Sequence, residues 1–193
     1  MPVGIFSCID SSKENPSKKR LNKYLVIVLV TFDNLDIAEE TNNTIGLNKA
    51  SDERTILKLT TKHNFKYRAL VVDLSKLQKE KLPDESLYMF ITNQFLLRSN
   101  NKMKNIPLFI HQNAQPSIKG YSKYIQRKLG VDLNTVVGPL KKSSASSNHL
   151  LRLAEIICNA IYLKFDKNDN TLYRLIKKKE NDLWSPYPLL GKK

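Results

Sequence analysis

The chain has 193 residues, 41% of them hydrophobic, with only six glycines and eight prolines; that is enough apolar material for one buried core, and it excludes a disordered or collagen-like chain. Thirty-two Lys and Arg against eighteen Asp and Glu give a net charge of +14, a field that draws polyanions, so nucleic acid or an acidic protein surface is the expected partner class. No zinc-spaced cysteine pair, phosphate-cradling glycine loop or GxSxG elbow occurs, which removes the commonest metal-finger, nucleotide-loop and serine-hydrolase readings.

In chain order, VGIFSCID (3–10) reads as a strand that ends on an acid, followed by a polar Ser/Lys-rich turn. YLVIVLVTF (24–32) is nine residues long, too short to span a bilayer. It starts late for a signal h-region and no small-residue cleavage site follows it, so it reads as a buried strand forming an antiparallel hairpin with the first. Residues 33–48 are polar with no clear period, and Gly46 stands there as a breaker. SDERTILKLTTKH (51–63) has helical spacing with Ser51 as the expected N-cap and Asp52 and Glu53 in the first turn, while His63 suits the C-terminal end.

KYRALVVD (66–73) reads as a strand closed by Asp73, residues 85–99 as an amphipathic helix, IPLFIHQ (106–112) as a strand, and 117–129 as a helix stopped by Gly130. A short strand at 132–140, the SSASS loop, a helix over 149–165, a basic helix over 170–179 and a Pro-containing tail complete the chain. Two strands followed by alternating strands and helices predict an α/β protein, one domain over 1–193, with a mixed sheet covered by helices. Cys8 and Cys158 lie 150 residues apart in apolar surroundings, as reduced buried thiols do, which predicts a cytoplasmic setting and no membrane association.

Open α/β sheets place their sites at strand ends. Asp10 closes the first strand, Asp73 the third, and His111 lies near the end of the fourth. If the first and fourth strands are neighbours, Asp10 and His111 converge, and Glu155, a carboxylate inside an apolar helix, completes an acid–imidazole–acid cluster. Such a cluster would hold Mg²⁺ or Mn²⁺ for phosphodiester chemistry, with Asp10 and Glu155 as the catalytic carboxylates and Asp10, His111 and Glu155 as metal ligands. Strand-end acids also cap turns without any other role. His149, in a serine-rich stretch, reads as passive. Basic groups fall at Lys18 to Lys23, Lys102 and Lys104, Lys141 and Lys142, and Lys177 to Lys179; Lys141, Lys142 and Ser143 precede the Glu155 helix, where a phosphate backbone would be received.

IFSCID, NKASDER (48–54), VVD (71–73), the helix led by Leu87 and Tyr88, and the closing SSASSNHLLRLAEIICNAI (143–161) resemble the bacterial domain-of-unknown-function family 3800, which has an RNase H-like fold. The resemblance matches Asp10 to the family's first-strand acid and Glu155, as a longer carboxylate, to its closing Asp. Lys49 matches the lysine of a Glu-x-Lys pattern whose acid is replaced here by Leu47, His111 stands where the family has an acid, and Arg152 takes the place of a glutamine. It implies an RNase H-like mixed sheet flanked by helices, with Lys49 and Arg152 joining the nucleic-acid contacts. It also implies a nuclease-related protein with an incomplete acidic site, its hydrolysis reduced or lost. A catalytically silent nucleic-acid- or protein-binding module of the same fold is the alternative.

Overall fold

The computed structural model describes residues 3–10, 23–74, 108–111, 140–143 and 148–185, with side chains for 23–74 and 148–185. The helices expected at 85–99 and 117–129, residues 144–147 of the serine loop and the final tail lie outside the described residues.

A six-stranded mixed sheet runs in the order β5-β4-β1-β2-β3-β6. Its middle is an antiparallel meander of β1 (Val3–Asp10), β2 (Tyr24–Phe32) and β3 (Phe65–Asp73). The expected hairpin forms, with register from Val3 opposite Phe32 to Asp10 opposite Leu25. Beyond β1 lie β4 (Leu108–His111) and β5 (Leu140–Ser143), both parallel, and beyond β3 lies β6 (Glu180–Trp184), also parallel.

The apolar run of β2 follows from its place: it is bonded on both sides and buried on both faces. Val26, Val28 and Val30 belong to the main core with Ala38, Ile45, Ile56, Leu57 and the long helix, while Leu25, Ile27 and Leu29 are equally buried on the other face. Strands buried on both faces have no polar face to alternate with, and read as continuous hydrophobic runs.

Four helices are described: α1 (Leu35–Leu47), α2 (Glu53–Thr60), α3 (His149–Asp166) and α4 (Tyr173–Ile176). α1 forms in the stretch that reads as irregular. Asn34 caps it, accepting from the Ile37 N–H at 2.9 Å, and Ala38, Thr41 and Ile45 make its buried stripe. The buried Thr41 hydroxyl is satisfied by donating to the Ile37 carbonyl one turn back. α2 is capped by Asp52 rather than Ser51; its carboxylate accepts from both the N–H and the hydroxyl of Thr55, which holds the acid below its ordinary value.

α3 supplies most of the core on its side of the sheet, with Leu150, Leu151, Leu153, Ala154, Ile157 and Ile161 among its buried residues. It ends where Asn168 takes a left-handed backbone, φ 55°, and the Asp169 N–H returns to the Leu163 carbonyl, an arrangement asparagine tolerates. The expected basic helix over 170–179 is not one helix. α4 spans a single turn, a 3-10 turn covers Lys177–Lys179, and the chain then enters β6. Of the short strand expected at 132–140 all but Leu140 lies outside the described residues; β5 begins at that residue and makes Lys141, Lys142 and Ser143 strand residues.

Candidate functional site

β1 and β4 are neighbours and parallel, with Gly4, Phe6 and Ile5 opposite Leu108, Ile110 and Phe109. Their shared C-terminal edge is the place where sequence reasoning put the site. The register decides which residues share a face there. Opposed residues of paired strands lie on one face and neighbours alternate, so Asp10, paired with Leu25, falls on the face of Leu25, Ile27 and Leu29. The odd-numbered residues of β4 fall with Ile5 and Ser7 on the face of Val26 and Val28, and His111 is among them.

α3 lies on that second face. It packs across β1 and β2 and touches β4. The Phe165 ring is 6.1 Å from Tyr24, the Cys158 thiol approaches the Val26 carbonyl at 4.0 Å, and His149 sits against Gly46 of α1. α3 therefore runs toward the strand end that carries Asp10. Glu155 lies three residues before Cys158, about 4.5 Å back along the axis, near the level of Val28 and Ser7. Continuing the register one residue sets His111 beside Ser7.

Glu155 is half-buried, on the flank of α3 about 120° from His149 at 3.6 residues per turn. Its neighbours on that flank, Arg152 three residues before it and Asn159 four after, reach the α1–α2 turn and the start of α2. The register sets His111 on the face of the sheet that α3 covers. Asp10 falls on the face opposite His111 and lies three residues beyond Ser7 along β1, about 10 Å at the rise of a strand. A divalent ion needs oxygen or nitrogen ligands within about 2.0–2.6 Å of itself, and the register starts Asp10 and His111 from opposite faces of the sheet. Among the residues with described side chains, no three His, Cys, Asp or Glu come close enough to hold a metal ion.

The basic residues expected at the site divide as well. Lys141 pairs with Phe109, Lys142 with Ile110 and Ser143 with His111, so Lys141 and Ser143 fall on the His111 face and Lys142 on the Asp10 face of the outermost strand. Lys49 is exposed in the turn between α1 and α2. Arg152 is turned to that same loop: its guanidinium donates to the carbonyl of Lys49 and, at 3.0 Å, to that of Ser51. Two turns on, Asn159 donates to Glu53 at 2.8 Å. These contacts tie α3 to the start of α2, so Arg152 acts as a strut.

His149 is not in a loop but opens α3, its N–H donating to the Asn42 side chain at 2.9 Å. His63 turns from the end of α2 toward α1, with Thr44 at 3.3 Å and Glu40 at 3.6 Å. Asp73, at the Asp10 end of the sheet, is 2% exposed and opposite Tyr24.

Sequence reasoning missed a polar cluster under β6. Glu180 accepts from the hydroxyls of Tyr67, at 3.2 Å, and Tyr173, and from the Lys177 ammonium at 2.6 Å. Burial pushes the Glu180 carboxyl up, but the bonds from Lys177 and Tyr173 outweigh it and hold it below the usual range. Burial, and next the charge of Glu180, push the Tyr67 hydroxyl far up. The Lys164 ammonium lies 3.5 Å over the Tyr173 ring, and burial pulls it down. No spacing announced this cluster, because its members come from β3, α3, α4 and β6.

No family model matches the chain, and no curated protein matches it in sequence. Among solved structures the chain is similar to the RNase HII in the PCNA:RNase HII complex from Archaeoglobus fulgidus. The TM-score is 0.52 at 12% identity, over 92% of this chain and 76% of that one. At that identity the likeness speaks for the fold, which is RNase H-like. Among the described residues no helix is long and apolar enough to cross a membrane.

Proposed function

We propose that the chain is an RNase H-like, nuclease-related nucleic-acid-processing protein whose divalent-metal site is degenerate, so that it binds nucleic acid with hydrolysis reduced or lost. One observation carries the reading: in an RNase H-like sheet with a net charge of +14, the register of β1 with β4 puts Asp10 and His111 on opposite faces. The charge supplies affinity for phosphate, and the split supplies the reason for weak chemistry. The resemblance of IFSCID and the closing SSASSNHLLRLAEIICNAI to family 3800 supports the same reading, as does the basic edge strand with Lys141 and Lys142 beside β4. The neighbour's complex with PCNA adds a protein partner as a second class to test.

The test is binding and turnover on one preparation. Labelled single strands, duplexes and RNA–DNA hybrids are titrated at several salt concentrations, then incubated with Mg²⁺ or Mn²⁺. The expected result is binding that weakens steeply with salt, as counterion release requires, with little or no cleavage. Binding indifferent to salt refutes the nucleic-acid reading. Efficient metal-dependent cleavage abolished by Asp10→Ala refutes the degenerate site, and cleavage that survives both Asp10→Ala and Glu155→Ala places the chemistry elsewhere.

A further inference from the structure

The sheet carries a second concentration of positive charge at the edge opposite β5, and it is built differently from a solvated run. Lys66, exposed on β3, reaches the Lys178 carbonyl at 3.5 Å. Lys179 folds back to donate to the His63 carbonyl at 2.6 Å, beside the exposed Lys62. The ammonium groups of Lys66 and Lys179 are near enough to repel: burial first, then Lys66, pulls the Lys179 ammonium down. Both of these bonds go to backbone carbonyls, which leave the positive charge uncancelled, whereas an ion pair with a carboxylate would consume it.

Glu180 on the same edge already serves Lys177 and two tyrosines, and Lys177 is raised by that bond. Lys62, Lys66, Lys178 and Lys179 are thus gathered from α2's C-terminal turn, β3 and the 3-10 turn into one surface. The Lys66 and Lys179 ammonium groups are held there by main-chain carbonyls at a cost in mutual repulsion, and an anion relieves that cost.

We propose that this β3–β6 edge is a second nucleic-acid contact, in which Lys62, Lys66, Lys178 and Lys179 receive the phosphate backbone. The inference rests on the nucleic-acid reading above and adds a surface that reading does not use. From β5 to β6 the order β5-β4-β1-β2-β3-β6 leaves five strand spacings, about 24 Å at 4.8 Å each. Lys141 and Lys142 therefore cannot share a phosphate with Lys66 and Lys178. A strand or duplex that touches both edges must cross an end or a face of the sheet, and a short oligonucleotide engages one edge at a time.

Lys66 and Lys178 are exposed, so K66E/K178E should fold, which an unchanged thermal melt confirms. Fluorescence anisotropy with a labelled 30-base-pair duplex is measured across a salt series for wild type, K66E/K178E and K141E/K142E. The expected result for K66E/K178E is a large loss of affinity and a salt slope shallower by about 1–2, since each lost phosphate contact removes about 0.9 on B-DNA. K141E/K142E should lower affinity separately. If wild type itself does not bind, the functional reading fails and this inference with it. If wild type binds and K66E/K178E matches it in affinity and slope, the inference alone is overturned. Loss of binding to polyglutamate in that same variant would then assign the edge to an acidic protein.

Discussion

Glu180→Ala tests whether β6 is held by one buried acceptor. Tyr67 is fully buried and Tyr173 is 6% exposed; both hydroxyls donate to the same carboxylate. Removing it orphans the Tyr67 hydroxyl at about 1–3 kcal/mol and the Tyr173 hydroxyl, nearer solvent, at about 1 kcal/mol. The exposed Lys177 partner adds at most about 1 kcal/mol. A total of about 2–5 kcal/mol corresponds to a melting point lower by about 4–20 °C for a chain of this length.

Tyr67→Phe leaves Glu180 with two donors and should cost only about 1 kcal/mol. The double variant Y67F/E180A, having no orphaned Tyr67 hydroxyl, should be more stable than E180A. The pH dependence has a definite sign. Because the folded carboxyl is held below its ordinary 4.5, its contribution is complete above that value and is lost as the pH falls through the folded one. Wild type should therefore lose its advantage over Glu180→Gln on acidification below about pH 5. Thermal melts of the four variants at pH 7 and across pH 3–7 provide the measurement. Equal stability of E180A and Y67F, or a double variant worse than E180A, would refute the shared-acceptor account.

Two further substitutions probe the joints around α3. Arg152→Ala removes the bonds to the Lys49 and Ser51 carbonyls, so it should cost about 1–3 kcal/mol and speed amide exchange at 49–53 while leaving the salt slope of binding unchanged. Unaltered stability with a slope shallower by about one would show instead that the guanidinium meets phosphate. A Cβ on Gly46 would lie 2.8 Å from the His149 ring. Gly46→Ala should therefore destabilise by about 1–3 kcal/mol through overpacking, outweighing the roughly 1 kcal/mol of helix propensity that alanine brings. In a His149→Ala background the same change should stabilise, and chemical denaturation that finds the same sign in both backgrounds would contradict the packing.

What the sequence disclosed follows from how local each signal is. β1, β2 and β3 were legible because apolar runs bounded by polar turns need no knowledge of their neighbours, and α3 because nine buried residues recur at helical spacing. α1 was not, because Asn42, Asn43, Thr44 and Gly46 are poor helix formers. Its support comes from the Asn34 cap and from core contacts of Ala38, Thr41 and Ile45, a stripe too thin to stand out. β6 was hidden in Glu180–Trp184, an edge strand whose polar residues match half-exposed positions and whose pairing with β3 shifts register between Tyr67 and Arg68.

The site shows the same boundary more sharply. Alternation along β1 correctly groups Cys8 with Asp10, and strand adjacency correctly brings β1 beside β4, yet neither says whether Asp10 and His111 share a face. That depends on the parity of the register, a relation between two segments about a hundred residues apart. Phe6 lies opposite Ile110, so even-numbered residues of β4 join even-numbered residues of β1, and His111 goes with Ser7. A slip of one residue would exchange the faces of β4 and place His111 with Asp10. The parity, which no single segment encodes, sets Asp10 and His111 on opposite faces of the sheet. The proposed reading, nucleic acid engaged with hydrolysis reduced or lost, rests on that separation together with the fold and the charge.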